Sequence, residues 1–349
     1  MRVVIVGASG NIGTSLLGAL THEDRVDSIL GLARRPPERS FPKTTWAAAD
    51  VRRDDLDAHV RGADVVVHLA WAIQPSHDSA ALRSTNVEGS RRVLQAVTRT
   101  RVPVLLYASS VGAYSAGPKD RAVDESWPVE GIATSFYSRH KAEVEAMLSR
   151  FEREQPGIRV VRFRPALVFK AEAATGIRRL FIGPFLPTPL LRRSLVPVVP
   201  AHERLRFQGV HSGDVADAFR RAIVGDASGP FNLASEPVLD GPELARMANA
   251  RTIRVAPRAL RMGAALTWRL HLQPSPPGWV DLAYGVPIMD SSRAKVELGW
   301  SPEIGADDAL NEVLAGMRTG KGLETPPLSP RTSGHLRAEE IRSGIGKED

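Results

Sequence analysis

An α/β fold built on a doubly wound parallel sheet is predicted by three features of this sequence. A short β-branched run, Arg2-Val3-Val4-Ile5-Val6, leads directly into the glycine-rich segment Gly7-Ala8-Ser9-Gly10-Asn11-Ile12-Gly13 and then into a helical pattern over 14–20. Strand-like runs alternate with helical stretches from residue 2 to 108, the order expected of βαβ units. The strand-like runs are nearly continuous in apolar residues, as strands covered on both faces are. Together these features define a Rossmann-type sheet over residues 1–165. A smaller C-terminal region, 166–318, and a polar tail, 319–349, follow it.

Taken in order, the first strand and its glycine turn form a dinucleotide-binding turn of spacing G-x-x-G-x-x-G. Glycines let a backbone approach a pyrophosphate, which sits at the helix N-terminus where unpaired N–H groups point. A purely structural turn is the other reading. A second strand over 28–33 ends at Ala33-Arg34-Arg35-Pro36. A carboxylate at that point would bind the ribose 2′-hydroxyl of NAD, whereas arginine suits the 2′-phosphate of NADP. NADP is therefore the expected cofactor and NAD the alternative. A third strand over 45–49 ends at Asp50-Val51, a pair able to hydrogen-bond the adenine edge. A short helix over 54–60, a fourth strand over 64–69 running into Ala70-Trp71, a helix over 79–100 containing Asn86, and a fifth strand over 102–108 ending at Ser109-Ser110 complete the series. Ligands bind at the carboxyl ends of such strands, so Gly7, Arg34, Asp50, Ala70 and Ser110 are expected to line one crevice.

Tyr137 and Lys141 stand four apart in Phe136-Tyr137-Ser138-Arg139-His140-Lys141, which on a helix places both on one face. An ammonium beside a phenol lowers the phenol pKa from about 10, so Tyr137 is expected to give and take protons near neutral pH. A solvated pair is the alternative reading of that spacing alone.

Composition bounds the rest. The chain has no cysteine, which excludes disulfides, thiolate metal sites and cysteine nucleophiles. Its net charge is +7, with arginines scattered rather than blocked with stacking aromatics, so no nucleic-acid role is expected. No signal peptide or membrane-spanning run is visible, since prolines interrupt the apolar stretch 180–191. A soluble, cytoplasmic protein without membrane contact is expected. His22, His59, His77 and His202 show no ligand spacing, and no metal is expected. His68 in a buried strand reads as structural, and Asp214 as the N-terminal anion of a late helix.

In this order the motifs resemble those of the short-chain dehydrogenase/reductase superfamily, in its extended, NAD-dependent epimerase/dehydratase branch. The resemblance rests on Gly7-x-x-Gly10-x-x-Gly13, Asp50-Val51, His68-Leu69-Ala70, Asn86, Ser110-Val111-Gly112-Ala113-Tyr114, Tyr137-x-x-x-Lys141, Arg164-Pro165, the segment 210–216 and Leu298-Gly299-Trp300-Ser301-Pro302. It implies hydride transfer at a hydroxyl or carbonyl carbon. Tyr137 would be the acid/base, Lys141 would lower its pKa and hold the nicotinamide ribose, and Ser110 would orient the reacting oxygen. Asn86 would serve helix geometry or a proton relay, with a helix-surface position as its alternative. The cofactor contacts implied are Gly7, Ser9, Gly10, Asn11, Ile12, Gly13, Arg34, Arg35, Asp50, Val51, Leu69, Ala70, Trp71, Ala108, Tyr137, Lys141 and Pro165. The region 166–318 would bind the small-molecule substrate and partly return to the main sheet. A homodimer through the helices around 79–99 and 135–153 is implied as well.

Departures from that pattern matter for substrate. Trp71 stands where a small residue usually follows His-Leu-Ala, and Lys170 where a glycine is common after Arg-Pro. Phe207 takes the place of an arginine that often grips a substrate diphosphate. Arg178, Arg179, Arg192, Arg193, Arg204 and Arg206 read as a solvated face or a diphosphate site. Three functions stay open: an oxidoreductase or epimerase on a nucleotide-sugar, a reductase or hydroxysteroid-type dehydrogenase on an apolar carbonyl, and a cofactor-sensing regulator without turnover. From Thr319 the chain reads as disordered or peripheral.

Overall fold

The computed structural model describes residues 1–73, 78–181, 198–270 and 275–330. The first part of the chain comprises β1 (Arg2–Val6), α1 (Asn11–Thr21), β2 (Ser28–Ala33), β3 (Thr44–Ala48), α2 (Asp57–Val60), β4 (Val65–His68), α3 (Ser79–Arg83), α4 (Gly89–Thr100), β5 (Val104–Ala108), β6 (Ala122–Val123), α5 (Phe136–Glu154) and β7 (Arg159–Pro165). The second part comprises β8 (Leu167–Phe169), α6 (Ala174–Phe181), β9 (Val198–Ala201), β10 (Arg206–His211), α7 (Ser212–Val224), β11 (Gly229–Leu233), β12 (Ser235–Asp240), α8 (Gly241–Ala248), β13 (Arg251–Arg254), α9 (Pro257–Arg269), α10 (Gly278–Gly285), β14 (Ile288–Met289), α11 (Ser292–Glu297) and α12 (Ala306–Thr319).

Seven strands form one parallel sheet in the order β11-β7-β5-β4-β1-β2-β3. Alternation along each strand explains its two covered faces. Val3 and Ile5 of β1 join Leu16, Leu17 and Leu20 of α1 and Phe219 of α7 on one side. Val4 and Val6 join Val93 and Val97 of α4 and Val144 and Leu148 of α5 on the other. Each such fully buried side chain contributes about 1.5–3 kcal/mol. The strand order reverses between β1 and β4, which opens a crevice above their carboxyl ends. β11 comes from the C-terminal half and pairs in parallel with β7, so that half contributes an edge strand to the main sheet.

Three expectations are corrected here. The helix expected over 79–100 is broken by a π turn at Ser84–Glu88. The residues after Thr319 are folded as far as Pro330: Leu323 N–H donates to the Leu328 carbonyl, Lys321 pairs with Glu172 at 3.3 Å, and Thr325 and Leu328 are buried. Arg178 and Arg179 are buried rather than solvated. His77, Arg192, Arg193 and the tail beyond 330 lie outside the described residues. Among the described residues no helix is long and apolar enough to cross a membrane.

Candidate active site

The glycine turn is dictated by close packing. Gly7 has a φ of +90°, and a Cβ there would stand 2.6 Å from the Ala70 nitrogen at the end of β4. A Cβ on Gly13 would stand 2.5 Å from the Ala8 carbonyl oxygen. Gly10 is not crowded in this way, with its nearest neighbour at 3.5 Å. It caps α1 without a side-chain hydrogen bond, and the first turn carries no acidic residue. The N–H groups at that end are therefore free to meet an anion, and the positive end of the helix dipole favours one. Ser9 is buried in the turn, and Asn11 donates its side-chain N–H to the Val168 carbonyl at 3.2 Å. Lys170 donates to Thr14 Oγ1 at 3.0 Å and Ser15 Oγ at 3.1 Å, which places a mostly buried cation beside the first turns of α1.

The far end of the crevice is rich in arginine. Arg34 and Arg35 follow β2 and are exposed. Asp50, past the end of β3, is buried, and its carboxylate accepts a two-pronged pair from Arg52 with Nη2 at 2.7 Å. That guanidinium holds the Asp50 carboxyl below the ordinary carboxylate range. Val51 packs against Gly89, and its carbonyl accepts from Arg92.

At the centre, α5 brings Tyr137 and Lys141 to the ends of β4 and β5. Ser135 caps the helix by accepting from the Ser138 N–H. Ser138 Oγ donates to the Gly112 carbonyl and accepts from the Ile132 N–H, which locks α5 to the loop after β5. Ser110 Oγ accepts from the Gly112 N–H at 2.9 Å, and its hydroxyl favours ionisation of the nearby Tyr137 phenol. The sequence-expected effect of Lys141 on Tyr137 is corrected. Lys141 Nζ donates to the Ala108 carbonyl at 2.7 Å and to the Tyr107 hydroxyl at 3.3 Å, and it lies 3.6 Å from the centre of the Trp71 ring. Burial pushes the Lys141 ammonium well below its ordinary pKa. Burial also pushes the Tyr137 phenol up to about 12, with Ser110 pulling the other way. The low-dielectric surroundings set the direction, and Lys141, turned to Ala108, Tyr107 and Trp71, is not among the causes of the shift.

Aromatic rings wall Tyr137. Trp71 meets it edge to face with ring centres 6.1 Å apart, and Trp279 of α10 lies over it at 5.1 Å. Ile73, Val111, Ile132, Phe136, Leu282 and Val286 complete this apolar cluster. Pro165, at the end of β7, stands two strands from the end of β4.

Asn86 is fully buried in the π turn, not on a helix surface. Its side-chain amide accepts from the Ala72 N–H at 2.7 Å and donates to the Ala72 carbonyl at 3.0 Å. Both backbone groups of the residue after Trp71 are thus satisfied by one side chain. The π turn leaves the Asn86 carbonyl to the Ser90 hydroxyl, and Ser90 Oγ lies 2.9 Å from His68 Nε2. Since Ser90 donates to Asn86, His68 carries its proton on Nε2. Burial pushes the His68 imidazole down to about 3, so it is neutral.

Two residues of the site were not singled out from the sequence. Glu145, one turn beyond Lys141, is fully buried and accepts from Arg164 Nε at 2.8 Å and Nη2 at 3.0 Å and from Arg162 at 3.0 Å. These pairs hold its carboxyl low against the upward push of burial and bolt α5 to β7. Its i+4 spacing from Lys141 was the available signal. Trp279 had no local signal, since nothing near residue 279 points to residue 137. Asp214 does more than face a helix end: its carboxylate accepts from the Glu303 and Ile304 N–H groups. Among the described residues, no group of three or more His, Asp or Glu could hold a metal.

The sequence model of the NAD dependent epimerase/dehydratase family matches residues 3–234. An uncharacterized protein of Mycobacterium bovis is 24% identical over 93% of this chain, which spans 31% of that protein's length. The sterol-4-alpha-carboxylate 3-dehydrogenase, decarboxylating, of Saccharomyces cerevisiae is 24% identical over 91% of this chain and 98% of its own. Among solved structures, the UDP-glucose 4-epimerase of Thermus thermophilus in complex with NAD superposes with a TM-score of 0.65 at 20% identity, covering 91% of this chain and 99% of that one. At that identity the superposition shows a shared Rossmann-type fold.

Proposed function

The chain belongs to the NAD dependent epimerase/dehydratase family, and from that membership we propose a nicotinamide-dependent oxidoreductase acting at a hydroxyl or carbonyl carbon. The observation that carries the reading is that Ser110 Oγ and the Tyr137 ring, both buried, flank the same Gly112 position just past the end of β5. A bound nicotinamide supplies or accepts the hydride. The turn from Gly7 to Gly13 and the N-terminus of α1 hold its pyrophosphate, with Lys170 adding positive charge nearby. Arg34 and Arg35 favour the 2′-phosphate of NADP over NAD, although the Thermus neighbour holds NAD. Lys141 is the cation available to ribose hydroxyls once Trp71 gives way. Tyr137 moves the proton at the substrate oxygen, and Ser110 orients that oxygen. Asn86 acts on neither: it fixes the backbone from which Trp71 projects.

The wall around Tyr137 favours an apolar carbonyl or alcohol over a nucleotide-sugar. A sugar site needs hydrogen-bond partners for several hydroxyls, whereas Trp279, Ile132 and Leu282 offer ring and alkyl surface. The yeast relative, named for a sterol carboxylate, supports the same direction. The test is nicotinamide absorbance with alicyclic ketones and with UDP-sugars in parallel. Net oxidation of NADPH by a ketone is expected. Interconversion of UDP-sugars without net redox change would replace this reading with an epimerase. Tyr137→Phe is expected to lower turnover by about 10²–10⁴-fold while cofactor affinity stays within about twofold; a variant that keeps most of its rate would remove Tyr137 from the chemistry.

A further inference from the structure

Of the six large apolar side chains left exposed among the described residues, four lie within residues 253–270. Met262 is 72% exposed, Leu266 59% and Leu270 58%. Their spacing of four makes them one row along α9 and its C-terminal cap, and no residue of α9 is fully buried. Val198 and Ile253 are exposed on the adjoining β9–β13 pair. Such a row normally faces a core; here it faces out.

Charge accompanies it. Residues 244–280 contain six arginines and neither Asp nor Glu. Arg258 and Arg269 are exposed and share with the apolar row an arc of roughly 120° around the helix. Neither makes an ion pair among the described residues, and the same holds for Arg251 and Arg254 on β13. The surface therefore combines uncompensated guanidinium groups with a narrow alkyl strip. A nucleic acid satisfies the charges but leaves Met262 and Leu266 in water. A stable protein interface buries about 800 Å² on each partner, more than one short row supplies. An anionic bilayer meets both demands, with lipid phosphates at the arginines and the acyl boundary at the strip.

We propose that α9, with β13, seats this protein on an anionic membrane surface, the helix lying in the plane of the interface. This seat is independent of the substrate reading. It adjoins the site all the same: Arg261 of α9 pairs at 2.8 Å with Asp281 of α10, the helix whose Trp279 covers Tyr137.

Flotation of the full chain with vesicles tests it. Vesicles of phosphatidylcholine with about a third phosphatidylglycerol are expected to carry the protein at least about tenfold better than phosphatidylcholine alone. Met262→Glu/Leu266→Glu and Arg258→Glu/Arg269→Glu are each expected to cut that binding about tenfold, with the thermal transition as a control for folding. Absence of wild-type binding, or binding equal to wild type in either folded variant, overturns the proposal. A dimer that the Met262→Glu/Leu266→Glu variant converts to monomer, without vesicle binding by the wild type, also overturns it and gives the face to a second copy. Capture of the protein by duplex DNA with vesicles excluded does the same in favour of nucleic acid.

Discussion

Asn86 shows how much one side chain can govern near Tyr137. Its amide satisfies the N–H and carbonyl of Ala72, and its own carbonyl anchors the Ser90–His68 chain. Asn86→Ala would leave the two half-buried backbone groups of Ala72 short of partners, each costing up to about 1–3 kcal/mol. Loss of about 2–4 kcal/mol in a denaturant titration is expected, and an unchanged midpoint would show that water replaces the amide. Tyr137 makes a second prediction. With its phenol pushed up to about 12, it is protonated throughout the ordinary working range. In the reduction direction it donates, so the rate is expected to be flat from about pH 6 to 9. In the oxidation direction the ionised form is required, so the rate is expected to climb about tenfold per pH unit. An oxidation profile already level at neutral pH would mean that the phenol ionises there and that burial does not set its acidity during turnover. The residue types at this site were legible from spacing, but the direction of the pKa shift was not, because it depends on burial and on where the Lys141 ammonium points.

Among the elements, the β1–α1 turn is the most constrained. Gly13 lies where the first turn of α1 passes over the Ala8 carbonyl, and a methyl group would overlap that oxygen. Gly13→Ala is therefore expected to push α1 off β1, lowering stability by about 1–3 kcal/mol and cofactor affinity with it. Isothermal titration with NADPH reads this; affinity equal to wild type would show that the pyrophosphate sits elsewhere. Gly10→Ala has open space on the protein side, so there a loss of affinity would come from the ligand side alone. The α5 helix is placed by a different device. Glu145, gripped by Arg162 and Arg164, sets its roll and height against β7, and Tyr137 and Lys141 ride two turns and one turn away on the same face. Strands and helices up to residue 108 were readable because period-two and 3.6-residue patterns are local. The π turn at Ser84–Glu88 was not, since its cause is the tertiary demand for Asn86 beneath Ala72.

For the molecule as a whole, the C-terminal half is not a detachable unit. β11 closes the main sheet beside β7, and Phe231 of β11 and Phe219 of α7 pack on Phe163 at ring distances of 6.0 Å and 4.5 Å. Asn232 links the halves again, accepting from the Tyr114 hydroxyl and donating to the Asp290 carbonyl. A single calorimetric transition is expected, with calorimetric and van't Hoff enthalpies equal. Two resolved transitions would mean that residues 166–318 fold on a core of their own.

The sequence by itself determined the order of strands and helices up to residue 108, the glycine turn, and the pairing of Tyr137 with Lys141, because each depends on residue type at short spacing, while the resemblance to a known family singled out Ser110. Tertiary structure alone decided that Trp279 would cover Tyr137, that Lys141 would rest on Trp71, and that α9 would turn Met262 and Leu266 outward. Those contacts join segments scores of residues apart, and local periodicity carries no record of which distant surface a side chain will meet.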